Sequence, residues 1–160
     1  MAALTAALPV ESDLRVREAI FTGLVRIGTP ESARAILPYI RSDDANMRTG
    51  ALDALRAMPE AVKPHLAALL QDQDADVRLL SCEIARNLPT GEATGLLCAL
   101  LDAETEGNVC ATAVDVLAEI GAADCVRALM RCAARFPDDP FLGFAVKVAA
   151  DRLRSRATGQ

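Results

Sequence analysis

One phrase recurs through the sequence at a near-constant interval, and no other feature narrows the possible folds so far. DADVRLLSCEIARNLP begins at Asp74, DANMRTGALDALRAMP at Asp44 and DLRVREAIFTGLVRIG at Asp13. Anchored on an apolar residue and its successor, the phrase falls at Val16-Arg17, Met47-Arg48, Val77-Arg78, Val109-Cys110 and Phe141-Leu142, in steps of 31, 30, 32 and 32 residues. A fixed period of this length signals a stacked repeat architecture, because one such unit has too little apolar surface to stand alone and must bury its flank against the next.

Each unit reads as two helices. The first carries apolar residues at helical spacing, as in Val77, Leu80, Ile84, Ala85 and Leu88, and stops at a breaker: Gly28, Pro59, Pro89 or Gly121. The second begins within a residue or two. Thr29-Pro30-Glu31 offers a capping hydroxyl and a proline at the first helical position. Its inward stripe is Ala33, Ile36, Leu37 and Ile40, followed in later units by Val62, Leu66, Leu69 and Leu70, by Leu97, Leu100 and Leu101, and by Val126, Leu129 and Met130. Turns this short make neighbouring helices antiparallel. Four positions before the second residue of each anchor stands an acid, Asp13, Asp44, Asp74, Glu106 or Asp138, placed to cap the free N–H groups of a helix start.

The pattern Asp-x-x-Val-Arg with Leu-x-x-Ile-Gly, present as Asp74-Ala-Asp-Val77-Arg78 and as Leu24-Val-Arg-Ile27-Gly28, resembles the HEAT repeat family, particularly its short bacterial form, over residues 11–150. The resemblance implies an all-α fold, a right-handed α-α superhelix of stacked antiparallel helix pairs. It also implies a charge ladder of Asp13, Arg17, Asp44, Arg48, Asp74 and Arg78, in which each arginine reaches an Asp of an adjoining unit. Cys110 and Leu142 break that ladder, so the seam of the last units is expected to be more apolar. The organisation expected is a single domain over 1–153: a partial unit at 1–10, units at 11–42, 43–71, 72–103 and 104–137, a terminal half-unit at 138–153, and a disordered tail at 154–160.

Composition excludes several classes of function. A formal charge of -5 and a pI near 4.9 oppose a phosphate backbone, so nucleic acid is not an expected partner. Charges interrupt every apolar stretch, which leaves neither a signal peptide nor a membrane span and points to a cytoplasmic protein. Five cysteines, Cys82, Cys98, Cys110, Cys125 and Cys132, include no CxxC pair and read as small buried hydrophobes rather than metal ligands. No GxxxxGK[ST] or GxGxxG is present to cradle a phosphate. The single histidine, His65, sits in Lys63-Pro64-His65-Leu66 at a helix start and reads as a surface residue, not a catalytic base. No cofactor or metal is expected.

What remains is surface. The resemblance implies that the second helices line a concave side, where Arg34, Tyr39, Arg41, Lys63, His65, Arg127 and Arg131 would form a mildly basic strip on an acidic molecule. Such a strip suits an acidic segment of a protein partner, with Tyr39 as an anchor. The expected function is therefore a non-enzymatic protein-interaction scaffold of a bacterial cytoplasm. Two alternatives stand beside it. One is a HEAT-like enzyme subunit of the bilin-lyase type, whose repeats look similar, although no catalytic position of that family maps onto these residues. The other is a structural repeat that self-associates through an exposed apolar end helix carrying Phe141, Phe144 and Val148.

Overall fold

The computed structural model describes residues 1–159, and these contain ten α-helices and no strand. Contacts group the chain into two compact units, Met1–Ala67 and the part from Ala68 onward. Both units are built from consecutive helix pairs, so the architecture is an all-α solenoid.

In the first unit, α1 (Ala2–Ala7) packs on α2 (Leu14–Ile27), and α2 packs on α3 (Pro30–Ile36) and α4 (Ala45–Arg56). A 3-10 segment, Leu37–Arg41, follows α3. The second helix of this pair is thus broken near Pro38, which removes one backbone donor and crowds the carbonyl four residues earlier. The caps follow the sequence closely. Asp13 accepts from the N–H groups of Arg15 and Val16, Thr29 from Ser32, and Asp44 from Asn46 and Met47. Gly28, at φ 63, takes the left-handed conformation that ends α2. Helix α5 (Pro59–Leu69) begins at the breaker proline, so Lys63-Pro64-His65 lies beyond its first turn, with Pro64 inside the helix.

The second unit contains α6 (Ala75–Ala85), α7 (Thr90–Ala103), α8 (Gly107–Ile120), α9 (Val126–Arg135, led in by a 3-10 turn at Ala123–Cys125) and α10 (Pro140–Thr158). Helix α8 packs between α6 and α10, while α7 packs on α9. Its core is Ile84, Leu97, Leu101, Val109, Val116, Leu117, Leu129, Leu142 and Leu153, all essentially inaccessible to solvent.

Several expectations need correction. The tail expected to be disordered from 154 is helical through Thr158, and Arg156 donates to the Glu119 carbonyl. That bond satisfies an otherwise open carbonyl at the C-terminal end of α8. Gln160 lies outside the described residues. Met130, expected inside, is half exposed, because the buried face of α9 is Ala128, Leu129 and Cys132. The cap of α10 is Asp139, which accepts from Leu142, and not Asp138. Glu106 makes no side-chain cap. Among the apolar anchors, Met47, Val77 and Val109 are buried, whereas Val16 and Phe141 are exposed.

Gly121 shows a second reason for a glycine at a helix end. A Cβ there would stand 2.4 Å from the Leu117 carbonyl oxygen and 3.3 Å from Leu153 Cδ1. Backbone cannot yield as a side chain can, so Gly121→Ala is expected to destabilise the protein by about 1–3 kcal/mol. Chemical denaturation of the two proteins, compared at equal m-value, measures it.

Candidate functional site

In the second unit the exposed face of α7 and α9 forms an open groove of about 340 Å³, lined by Gly91, Gly95, Cys98, Cys125, Arg127 and Arg131. Helical geometry places Gly91, Gly95 and Cys98 along one side of α7 and Arg127 and Arg131, four apart, along one side of α9. A Cβ added at either glycine would meet nothing within 4 Å, so these positions open the groove without serving a close packing contact.

Its electrostatics are set by three residues. Arg131 forks onto Asp102, with Nε to Oδ1 at 2.9 Å and Nη2 to Oδ2 at 2.8 Å. This bond holds the Asp102 carboxyl below its usual range and raises the Arg131 guanidinium above its own. Arg131 therefore lines the groove as half of an ion pair. Arg127, one turn earlier, is exposed to solvent beside it. One turn later, Arg135 donates to the carbonyls of Leu101, Asp102 and Glu104, where the last turn of α7 leaves acceptors open. The arginines at 127, 131 and 135 thus share one stripe with different duties. Arg135 was not among the predicted residues, although its i+4 spacing from Arg131 was visible.

The thiols divide between core and groove. Cys82, Cys110, Cys125 and Cys132 are buried as expected, whereas Cys98 is only half-buried and faces the groove. Burial, and then its contact with Cys125, pushes the Cys98 thiol up to about 12, so it stays protonated at neutral pH and is no thiolate nucleophile. Cys82 is likewise pushed to about 12 by burial. The thiols of Cys110 and Cys132 are close neighbours inside the unit, and their interaction raises the first and lowers the second. Among the described residues no group of three or more His, Cys, Asp or Glu side chains is placed to hold a metal ion.

The remaining predicted strip residues belong to the first unit or to α5. Arg34 on α3 and Arg41 on the 3-10 segment are exposed, and Tyr39 and Lys63 are half-buried. His65, expected at the surface, is half-buried too, with its Nε2 enclosed and without a hydrogen-bond partner. A second groove, of about 560 Å³, runs between α2 and α4 past Arg17, Glu18, Phe21, Gly50 and Asp53. It lies on the first helices and contains none of the strip.

The ladder is real in part and differs in its partners. Arg17 reaches Asp44 of the following pair at 2.7 Å and donates from Nε to the Glu11 carbonyl. Arg48 donates to the Ser42 carbonyl at 2.5 Å. Arg78 reaches Glu104 and not an Asp: Nε to Oε2 is 2.6 Å and Nη2 to Oε1 is 2.8 Å. Asp74 caps α6 through the Asp76 N–H. The seam between α6 and α8 carries its own charge cluster. Arg86 lies among Glu83, Asp115 and Glu119; burial works against its charge, yet the three carboxylates hold it above the usual range.

Successive helix pairs joined by short turns, with a ladder of arginines to the next pair, define a helical-repeat protein. The family model for HEAT repeats matches residues 1–86, more than half of the chain, and the chain belongs to that family. The α7–α9 groove lies beyond the matched segment. A crystal structure of an engineered protein is similar over 94% of this chain and 76% of its own, at 17% identity and a TM-score of 0.46. No curated protein matches the chain.

Proposed function

We propose that the protein is a non-enzymatic interaction scaffold that docks an acidic segment of a partner protein in the α7–α9 groove. The observation that supports this reading is the exposed Arg127 at the lip of a preformed groove whose other arginine is already neutralised by Asp102. A carboxylate arriving there finds Arg127, which makes no ion pair among the described residues, and an Asp already paired with Arg131. Two packed helices hold the shape in advance, so little ordering entropy is lost on binding. In the first unit, Arg34 on α3 is likewise exposed.

The test uses the intact chain as bait in lysate from its native cell, with captured proteins quantified by mass spectrometry. Wild-type protein is expected to retain a stoichiometric partner, and Arg127→Glu to lower that capture about tenfold. Arg127 is exposed, so the variant should fold normally. Equal capture by both would overturn the groove as the site, and absence of any stoichiometric partner would overturn the scaffold reading itself.

A further inference from the structure

Helix α10 carries an apolar stripe that the second unit leaves uncovered. Phe141, Phe144 and Val148 are 84%, 69% and 50% exposed. They stand at i, i+3 and i+7, a single face over about 10 Å of helix. Scattered apolar residues on a surface need no explanation, but three large ones in register do.

The repeat shows what this register expects. Thirty-two residues earlier, the equivalents of Phe141 and Val148 are Val109 and Val116, both 0% exposed; one repeat before those, Val77 and Ile84 are 1% and 0% exposed. Helix α8, which carries Val109 and Val116, has α6 on one side and α10 on the other. Helix α10 packs against α8, α9 and the turn before α9. At Phe141 and Val148 the face that is buried in both preceding repeats is therefore open in this one, and at Phe144 the half-buried equivalents Thr112 and Leu80 give way to an exposed phenylalanine.

We propose that a second copy of this chain covers it, the two α10 helices pairing antiparallel about a two-fold axis near Phe144. Reversing the helix direction about the point midway between Phe144 and Ala145 lays Phe141 of one copy over Val148 of the other, and the converse. The stripe is its own complement, as a closed two-fold contact requires. Exposed Lys147, Asp151 and Arg152 beside it supply a polar rim. The three side chains offer roughly 400 Å² of apolar surface per copy. That is about half of the ~800 Å² per partner of a standard stable interface. The dimer is accordingly a reversible one, with a dissociation constant on the order of micromolar.

Sedimentation equilibrium of the intact chain from about 1 to 500 μM tests this, a range that brackets such a constant. The expected mass rises from the 16.9 kDa monomer to twice that value and stops. Phe144→Asp is expected to raise the dissociation constant at least about tenfold, with its circular dichroism unchanged because the residue is exposed. Val10→Asp, at a position 81% exposed in the first unit, controls for loss of an apolar residue elsewhere and should leave the dimer intact. A monomer throughout overturns the proposal. So does a mass that climbs past the dimer, which would mean head-to-tail stacking, or a dimer that Phe144→Asp weakens no more than Val10→Asp does.

Discussion

Glu104→Ala is expected to destabilise the protein by about 3 kcal/mol, although Glu104 lies in the short connection after α7 and in no helix core. Its side chain is 2% exposed and meets the Arg78 guanidinium, itself 14% exposed, through two parallel bonds. It also accepts from the N–H groups of Thr105 and Glu106 at 2.9 and 3.0 Å, at the point where the chain turns into α8. The same arginine donates to the carbonyls of Asp72 and Gln73 ahead of α6. One ion pair thus ties the starts of two successive first helices. Removing the carboxylate leaves a largely buried guanidinium without its counter-charge and two N–H groups without an acceptor, which costs far more than the pair would earn at a surface. Arg78→Met/Glu104→Leu, which removes both charges, should recover part of the loss in denaturant titrations.

The same contact predicts a pH dependence. The Arg78 hydrogen bond holds Glu104 below its ordinary value of 4.5 in the folded protein. Its contribution is therefore complete above about pH 4.5 and is lost as the pH falls through the lowered folded value. Asp44 and Asp102 are shifted the same way by Arg17 and Arg131, so wild-type acid unfolding sums several carboxylates. Glu104→Gln removes one titration and should flatten stability against pH below 4.5 while lowering it at neutral pH. An unchanged slope would show that Arg78 does not hold this carboxylate.

Leu117→Ala is expected to cost a similar amount, about 3 kcal/mol, by a different route. Leu117 is fully buried on α8, the helix packed between α6 and α10, so the cavity opens where three consecutive repeats converge. Collapse around it would have to move helices that are held on both sides, and the cost sits toward the middle of the range for such truncations. Phe144→Ala removes more atoms yet should change monomer stability by less than about 0.5 kcal/mol, since Phe144 is 69% exposed. Thermal or denaturant unfolding of both variants at low concentration reads the contrast. Similar losses in the two would mean that α10 lies differently on its unit.

Particular residues show how far the sequence could be read. Period, caps and breakers led directly to the helix pairs, because Asp13, Asp44, Asp74 and Gly28 act within a few residues of themselves. Contacts between repeats were less legible. The ladder led to an Asp of an adjoining unit for Arg78, but extended backbone at Glu104 turns that glutamate into the seam instead. The basic tail looked unstructured because its partner, the Glu119 carbonyl, is a backbone group that no side-chain pattern announces. For the groove, sequence marked Arg127 and Arg131 but could not distinguish their duties. That distinction depends on Asp102, 29 residues from Arg131 in the chain and in direct contact with it in the fold.

Hydrogen–deuterium exchange on the intact chain, alone and with the partner captured by the wild-type bait, puts the binding surface to the most direct test. The account predicts slowed exchange in Thr90–Ala103 and Val126–Arg135, the two helices that line the groove, with Leu14–Ile27 and Ala45–Arg56 unchanged. Protection confined to α2 and α4, with α7 and α9 exchanging as in the free chain, would contradict it.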